Sequence, residues 1–347
     1  MFYTTLESML ARFDRESRSM RVDLSSADAF RSWQHKARVK LTSLLGLERI
    51  SFSDNPPILL EEKTIEGGIK MEKWLMETEP MVKMPCYLLI PPTAHASTPV
   101  YIAAPGHLGG GKESLVGNRE NESVAEKIDF YSYDYALFLA KNSYVSLAFD
   151  PRGFGERREV WEQGEDQILS SSCREIAHMA ESLGLTLCGL LVHDIMAIVN
   201  ILEKWNRFGE IRALGFSGGG LQTLYASAID ERIKMGVVSG YFYGFKDALL
   251  SLAANCSCNY IPSLYLYFDI QDIASMIAPR PLVIQSARND HLSGERGLVN
   301  VLEPMAELNY AYSLLDSFDK ISHHVVDGPH HFEKIGIIEE IEKVCSK

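Results

Sequence analysis

The sequence has little of what several protein classes require. Its 347 residues include 34 lysines and arginines against 46 aspartates and glutamates, a formal net charge of −12. A protein that binds a nucleic-acid backbone needs a basic face, so this balance argues against nucleic acid and anionic lipid as partners. The amino-terminal segment has no uninterrupted apolar run, so we expect it to be neither a secretory signal nor a membrane span.

Cysteine is also scarce. Of the six cysteines, only Cys256 and Cys258 stand close together. A pair separated by one residue is too short for a zinc framework, and a histidine site at residues 323, 324, 330 and 331 lacks carboxylates at ligand spacing. We therefore expect no metal, no cofactor and, from the dispersed thiols, a cytoplasmic protein.

From Pro99 onward, short apolar runs alternate with helical stretches. The runs PVYIAAPG, YVSLAFDPRG, IRALGFSGGG and PLVIQSARND each end in a turn signal, as buried parallel strands do. Between residues 187 and 205 apolar side chains recur at helical spacing. This alternation predicts an α/β fold with a mostly parallel sheet flanked by helices, and a functional site at the carboxyl ends of the strands.

One serine stands where a strand turns sharply into a helix. Ser217 follows IRALGF and precedes three glycines, which gives the pattern G-x-S-x-G. Such a turn needs neighbours without Cβ atoms, and it raises the hydroxyl above the sheet beside the N–H of the next residue. We predict that Ser217 is a nucleophile and that Gly218 donates to an oxyanion. The alternative is a glycine-rich turn that holds a serine by chance.

Two later loops supply an acid and a base in the order that this kind of site uses. Asp290 follows PLVIQSA, and two adjacent histidines, His330 and His331, follow SHHVVD. One imidazole would take the serine proton while the acid fixes its tautomer. The residues alone leave open whether His330 or His331 does so. A second oxyanion N–H is expected from His107 or Leu108, after PVYIAAP.

The loop at residues 106–112 also matches most of a phosphate-binding G-x-x-x-x-G-K motif. The match fails at Glu113, which stands where a hydroxyl should bind Mg²⁺. A nucleotide-binding function would also leave Ser217 and Asp290 without a role. A nucleotide-binding protein is therefore the weaker interpretation. In the next strand-end turn, we expect Arg152 to be structural and to bond loop carbonyls or Asp150.

The segments PGHLGGGK, FDPRGFGE, GFSGGG, CSCNYIP, IAPRPLVIQSARND and GPHHF resemble the α/β-hydrolase superfamily. The likeness is nearest to bacterial acetyl-xylan-esterase-like and dienelactone-hydrolase-related serine esterases. It implies hydrolysis of carboxylic esters, acetyl esters of carbohydrates among them, without a cofactor. Aligned with the Gly-Gly-His-x-Phe ending of that group, GPHHF makes His330 the catalytic histidine and His331 the variable residue. Pro329, Leu108 and Glu156 depart from the group's pattern.

These elements predict an N-terminal helical extension at residues 1–55 and an α/β-hydrolase catalytic domain at residues 56–347. The domain opens with antiparallel strands and carries an aromatic insertion at about residues 241–277. Its rings either wall the acyl or alcohol pocket or, as we expect for most of them, fill a small core of the insertion itself. We expect the partner to be a small-molecule ester substrate, and the sequence leaves open whether the chain forms a homo-oligomer. The alternatives are a peptidase on the same fold and a noncatalytic hydrolase-like binding protein.

Overall fold

The computed structural model describes residues 3–159, 165–253 and 255–346; residues 160–164 of the predicted catalytic domain and residue 254 of the insertion lie outside this description. The described strands are β1 (Ile58–Thr64), β2 (Lys70–Glu79), β3 (Val82–Ile90), β4 (Val100–Ala104), β5 (Val145–Phe149), β6 (Ile211–Phe216), β7 (Met235–Ser239), β8 (Leu282–Ala287) and β9 (Ile321–Val326).

These strands form one sheet in the order β1-β2-β3-β5-β4-β6-β7-β8-β9. The first three strands pair antiparallel, β3 joins β5 antiparallel, and the strands from β4 to β9 are parallel to their neighbours. Every residue of β4, β5, β6, β7 and β8 is buried. Continuous apolar runs predict this burial on both faces, and the predicted α/β class is confirmed.

Helices cover both faces of the sheet. They are α1 (Leu6–Glu16), α2 (Ala27–Leu45), α3 (Lys112–Leu115), α4 (Glu122–Tyr131), α5 (Tyr135–Lys141), α6 (Cys173–Glu181), α7 (Leu187–Trp205), α8 (Gly218–Ile229), α9 (Leu264–Tyr267), α10 (Ile270–Ser275), α11 (Val299–Leu314) and α12 (Ile337–Cys345). Alternate residues of β4 point into two cores: Ile102 packs with α2, α7 and α8, and Tyr101 with α5 and α12. This is the two-sided packing of an α/β sheet. None of the described helices is long and apolar enough to span a bilayer.

The amino-terminal helices pack directly on the sheet domain. The buried face of α2, which includes Phe30 and Leu41, belongs to the same core as α7. The guanidinium of Arg18, in the segment between α1 and α2, lies 2.8 Å from Asp272 on α10 and 2.7 Å from Glu307 on α11.

The aromatic residues of the insertion do not form a separate small core. Tyr241, Phe242, Tyr243, Phe245 and Phe268 are buried in the same cluster as α7 and α8. The expectation of a small core of their own is wrong for these five residues. The sequence pattern gave the aromatic content but not the packing partners, which come from distant elements.

Candidate active site

Ser217 occupies the turn between β6 and α8 in a conformation that few side-chain-bearing residues adopt. Its φ and ψ are 57° and −121°, and its backbone N–H donates to the carbonyl of Ser239 at 2.9 Å. Positive φ at a non-glycine residue is strained and persists only when the surrounding structure holds it. The side chain is partly exposed at the carboxyl end of the sheet.

The glycines after Ser217 allow close approach to β4 and the loop that follows it. A Cβ on Gly219 would lie 1.9 Å from the carbonyl oxygen of Ala104, and one on Gly218 would lie 2.6 Å from Nδ1 of His107. Real Cβ atoms do not make such contacts, so larger residues would push the helix away from the strand. The G-x-S-x-G pattern therefore has the physical cause inferred from the sequence.

His330 and Asp290 form a buried pair beside this turn. Nδ1 of His330 lies 2.6 Å from Oδ2 of Asp290, and Oδ1 of Asp290 accepts from the N–H of Leu292 at 2.9 Å. The imidazole packs on Phe216, the residue before Ser217, with ring centroids 4.5 Å apart. Because Nδ1 is engaged by the carboxylate, Nε2 is the nitrogen left for proton transfer.

The second histidine has different partners. Nδ1 of His331 lies 2.7 Å from the carbonyl oxygen of Pro329, and Nε2 lies 3.6 Å from the carboxylate of Glu333. The choice between the two imidazoles, which in the sequence depended on resemblance alone, now has a geometric basis in the pairing of His330 with Asp290.

Gln285 on β8 anchors the loop that carries both histidines. Its Nε2 donates to the carbonyl of Glu333 at 2.8 Å, and its Oε1 accepts from the N–H of Glu333 at 3.0 Å and from the hydroxyl of Ser239 at 2.8 Å. The side chain is almost fully buried. Sequence reasoning missed this residue, because nothing in PLVIQSA marks Gln285 as a partner of a loop 48 residues away.

The loop after β4 lies close to the Ser217 turn. The carbonyl of His107 accepts a hydrogen bond from the hydroxyl of Tyr133, and Leu108 has a φ of 62°. Within the described residues, no hydrogen bond is formed by the backbone N–H of Gly218, His107 or Leu108. These N–H groups are therefore free to donate to a ligand, as the oxyanion prediction requires.

Comparison with known proteins places the chain in a family. A family model described as the Abhydrolase family matches residues 3–202, more than half of the chain. The chain belongs to the Abhydrolase family. The predicted superfamily and fold are thereby confirmed.

Family membership is accompanied by more distant likenesses. YtaP of Bacillus subtilis (strain 168), which is named as a hydrolase, is 24% identical over 317 residues, 89% of this chain and 98% of that protein. A structure from Bacteroides fragilis NCTC 9343 named as an acetyl xylan esterase has a TM-score of 0.76 and 18% identity, covering 96% of this chain and 84% of its own. A glucuronoyl esterase from Solibacter usitatus has a TM-score of 0.63 and 14% identity, covering 93% and 94%. At these identities the solved structures show a shared fold.

The lysine of the phosphate-loop motif is not available to a nucleotide in this Abhydrolase-family chain. Lys112 is fully buried, and its Nζ lies 2.8 Å from Oδ2 of Asp150 and 2.5 Å from the carboxylate of Glu156. Burial opposes the charge of Lys112, but Asp150 and the other carboxylates raise its pKa. A buried lysine paired with carboxylates has no donor left for a phosphate, which argues against the nucleotide-binding alternative.

Arg152 is structural, but its partners differ from those expected. Its guanidinium lies 3.2 Å from Asp194 on α7 and also pairs with Glu79 on β2, and it does not bond Asp150. The carbonyl of Asp150 instead accepts from Arg157 at 2.9 Å. The expectation for Arg152 was wrong because Asp194 comes from a helix that the sequence does not connect to this turn.

One histidine and three cysteines, with nitrogen and sulfur donor atoms, lie close together beside the loop after β4. Nε2 of His107 lies 3.6 Å from Sγ of Cys173 and 3.7 Å from Sγ of Cys258, and the ligand atoms of His107, Cys256 and Cys258 all lie within 4.8 Å of one another. Hydrogen bonds from the Cys173 and Cys258 thiols hold the pKa of the Cys256 thiol far below its usual range. The sequence interpretation treated Cys256 and Cys258 as an isolated pair, because Cys173 and His107 are distant in sequence.

Proposed function

We propose that the chain is a serine esterase in which Ser217, His330 and Asp290 form a catalytic triad. The observation that carries this proposal is the buried 2.6 Å pairing of His330 with Asp290 beside the strained Ser217 turn. A noncatalytic protein on this scaffold has no need to retain a strained serine and a paired histidine together.

The proposed reaction has two steps. His330 takes the proton of the Ser217 hydroxyl as the oxygen attacks the ester carbonyl, and the same imidazole then protonates the leaving alcohol. Water, deprotonated by His330, attacks the acyl-enzyme. As the bond to Ser217 breaks, His330 returns the proton to the serine oxygen and the carboxylic acid is released. The N–H groups of Gly218 and of His107 or Leu108 stabilise the oxyanion in both steps. Asp290 holds the imidazole tautomer and stabilises its charge.

The proposed substrates are esters of carbohydrates. The support is that two proteins of similar structure, each covering more than nine-tenths of this chain, are named as an acetyl xylan esterase and a glucuronoyl esterase. Acetyl esters of xylan place the carbohydrate on the alcohol side, whereas glucuronoyl esters place it on the acyl side. A substrate panel should therefore contain both kinds.

The test is the Ser217→Ala variant. We expect kcat for p-nitrophenyl acetate to fall by about 10⁴–10⁶-fold, the range seen when a triad serine is removed. Labelling by a fluorophosphonate should disappear with it. The control is Ser313→Ala on the exposed face of α11, which should keep both activity and label. Wild-type turnover in Ser217→Ala would end the proposal.

The second measurement defines the acyl and alcohol groups. Wild type and Ser217→Ala are assayed with p-nitrophenyl esters of increasing chain length, acetylated xylo-oligosaccharides, methyl esters of uronic acids and a peptide amide. We expect kcat/KM to be highest for a short acyl chain or a sugar ester. Faster cleavage of the peptide amide would instead identify a peptidase.

A further inference from the structure

Three separate chain segments bring sulfur and nitrogen ligands to one point. His107 comes from the loop after β4, Cys173 is the first residue of α6, and Cys256 and Cys258 flank the start of a short 3-10 turn in the insertion. Cys173 and Cys258 are buried, whereas His107 and Cys256 are partly buried. Nothing in the proposed ester hydrolysis uses any of these thiols.

The two sulfur–nitrogen distances at His107 match those between ligands of a single tetrahedral ion. With zinc–sulfur and zinc–nitrogen bonds of about 2.3 and 2.05 Å, tetrahedral angles separate a sulfur and a nitrogen ligand by roughly 3.6 Å. The two distances from Nε2 of His107 are 3.6 Å to Cys173 and 3.7 Å to Cys258. Thiols that merely pack in a core have no reason to converge on one imidazole nitrogen.

The chemistry of the donors selects among metals. Three thiols and one imidazole are soft or borderline ligands that suit zinc, and the set contains none of the carboxylate or carbonyl oxygens that Mg²⁺ and Ca²⁺ prefer. Four protein ligands complete a tetrahedral shell and leave no open position for water or substrate. Such a closed site is structural.

We propose that His107, Cys173, Cys256 and Cys258 bind one zinc ion in a Cys₃His site that joins the loop after β4 to α6 and the insertion. His107 binds through Nε2, and its opposite nitrogen, Nδ1, faces Gly218 beside the Ser217 turn. The ion thereby fixes the loop that carries the proposed second oxyanion donor. Metal binding itself does not depend on the proposed esterase activity.

The first experiment measures metal content. The full chain is purified with a non-thiol reductant from zinc-supplemented medium, dialysed against metal-free buffer and analysed by plasma mass spectrometry. We expect about one zinc ion per chain. Replacement by Co²⁺ should give intense thiolate-to-cobalt absorption and the visible bands of tetrahedral cobalt, neither of which depends on enzyme activity.

Variants identify the ligands. Cys258→Ser and Cys256→Ser should each reduce zinc occupancy at least tenfold and remove the cobalt spectrum. Cys256 is the less buried of the two, so its replacement should disturb the fold less and keeps the test valid if Cys258→Ser misfolds. The matched control is Cys345→Ser near the carboxyl terminus of α12, which should retain full occupancy. Ser217→Ala should also retain the metal while losing turnover, which separates the two proposals.

Two results would overturn the site. One is a wild-type protein that, when kept reduced, retains neither zinc nor cobalt. This result would overturn the site also if the same cysteines form a disulfide when the reductant is omitted. The other is full metal occupancy in both Cys256→Ser and Cys258→Ser. Protection of three thiols from a thiol reagent, lost on addition of a strong chelator, would support the proposal independently.

Discussion

At the scale of single residues, the proposed catalytic groups are each fixed by local contacts. The strained turn at Ser217 is closed by its hydrogen bond to Ser239, and Asp290 accepts from Leu292 as well as pairing with His330. Side chains held in this way lose little freedom when a substrate binds, which is the advantage of a preorganised site.

The two adjacent histidines allow a sharp test of this geometry. His330→Ala should lower kcat for a p-nitrophenyl ester by roughly 10⁴-fold or more, because the general base is lost. His331→Ala should retain activity within a few fold, since that ring contacts Pro329 and Glu333 rather than Asp290. Steady-state kinetics on both variants provide the measurement, and equal losses in the two would contradict the assignment.

Sequence patterns predicted the residues whose role depends on local order. Ser217 and Gly218 follow from the consecutive strand, sharp turn and helix. Asp290 and the pair His330 and His331 follow from their positions after apolar runs, and the choice of His330 depended on family resemblance. The roles of these residues stay predictions. Cys173 could not be associated with His107, Cys256 and Cys258, because only tertiary packing brings α6 to the loop after β4.

At the scale of elements, the loop between β9 and α12 depends on β8. Gln285 makes two hydrogen bonds to the backbone of Glu333 and one to Ser239. A further hydrogen bond, from the N–H of Phe332 to the carbonyl of Tyr131 at 3.0 Å, ties the loop to α4. Together these contacts hold the loop that carries His330, so under the proposed mechanism we expect Gln285 to be a positioning residue rather than a catalytic one.

Replacing Gln285 by Leu should therefore affect turnover more than substrate binding. We expect kcat to fall by about 10–100-fold with a smaller change in KM, because a displacement of about 1 Å at the base is that costly. The free energy of unfolding should fall by about 1–3 kcal/mol, since backbone groups of Glu333 lose buried partners. Steady-state kinetics and urea unfolding measure the two effects.

The control for this change is Gln34→Leu. Gln34 is also buried, and its amide donates to the carbonyls of Ser275 and Ala278, which joins α2 to α10 and the segment after it. Its loss should reduce stability by a similar amount but leave kcat within a few fold. Equal losses of kcat in Gln34→Leu and Gln285→Leu would argue against a positioning role.

The same contrast explains which elements were predictable. The parallel strands and α7 are encoded by continuous apolar runs and by a helical repeat, so their type and approximate limits follow from the sequence. The partners of Arg152 and of the insertion's aromatic rings depend on which distant helix packs beside them. Local patterns carry no information on that choice.

At the scale of the whole molecule, buried histidines couple folding to pH. His193 on α7 is 1% exposed, and its ring stacks on Phe52 with centroids 4.4 Å apart. Burial lowers the pKa of His193 to about 4. The negative charge of the neighbouring Asp194 acts to raise this pKa, whereas the positive charge of Arg152 lowers it further. Burial likewise lowers the pKa of His323 on β9 to about 4.

Stability should therefore fall as the pH drops below about 6.5. Above that value His193 is neutral in both states, whereas between about 6.5 and 4 the unfolded chain binds a proton that the folded protein excludes. One such histidine can cost on the order of 3 kcal/mol by pH 4, with a slope of up to about 1.4 kcal/mol per pH unit. Measurement between pH 7 and 5 avoids the pH range in which carboxylates titrate. Glu77 is an example, because hydrogen bonds from Lys83 and Ser53 lower its pKa to about 2.

The variant His193→Gln isolates one of these titrations. Urea unfolding at pH 7, 6 and 5 should show a shallower decline of unfolding free energy in the variant than in wild type, because Gln cannot bind the proton in the unfolded chain. His323 remains, so part of the decline should persist. His178→Gln, at an exposed position on α6, serves as the control and should follow the wild-type curve. Parallel curves for wild type and His193→Gln would mean that the buried imidazole carries its proton in the folded protein, and the coupling described here would be wrong.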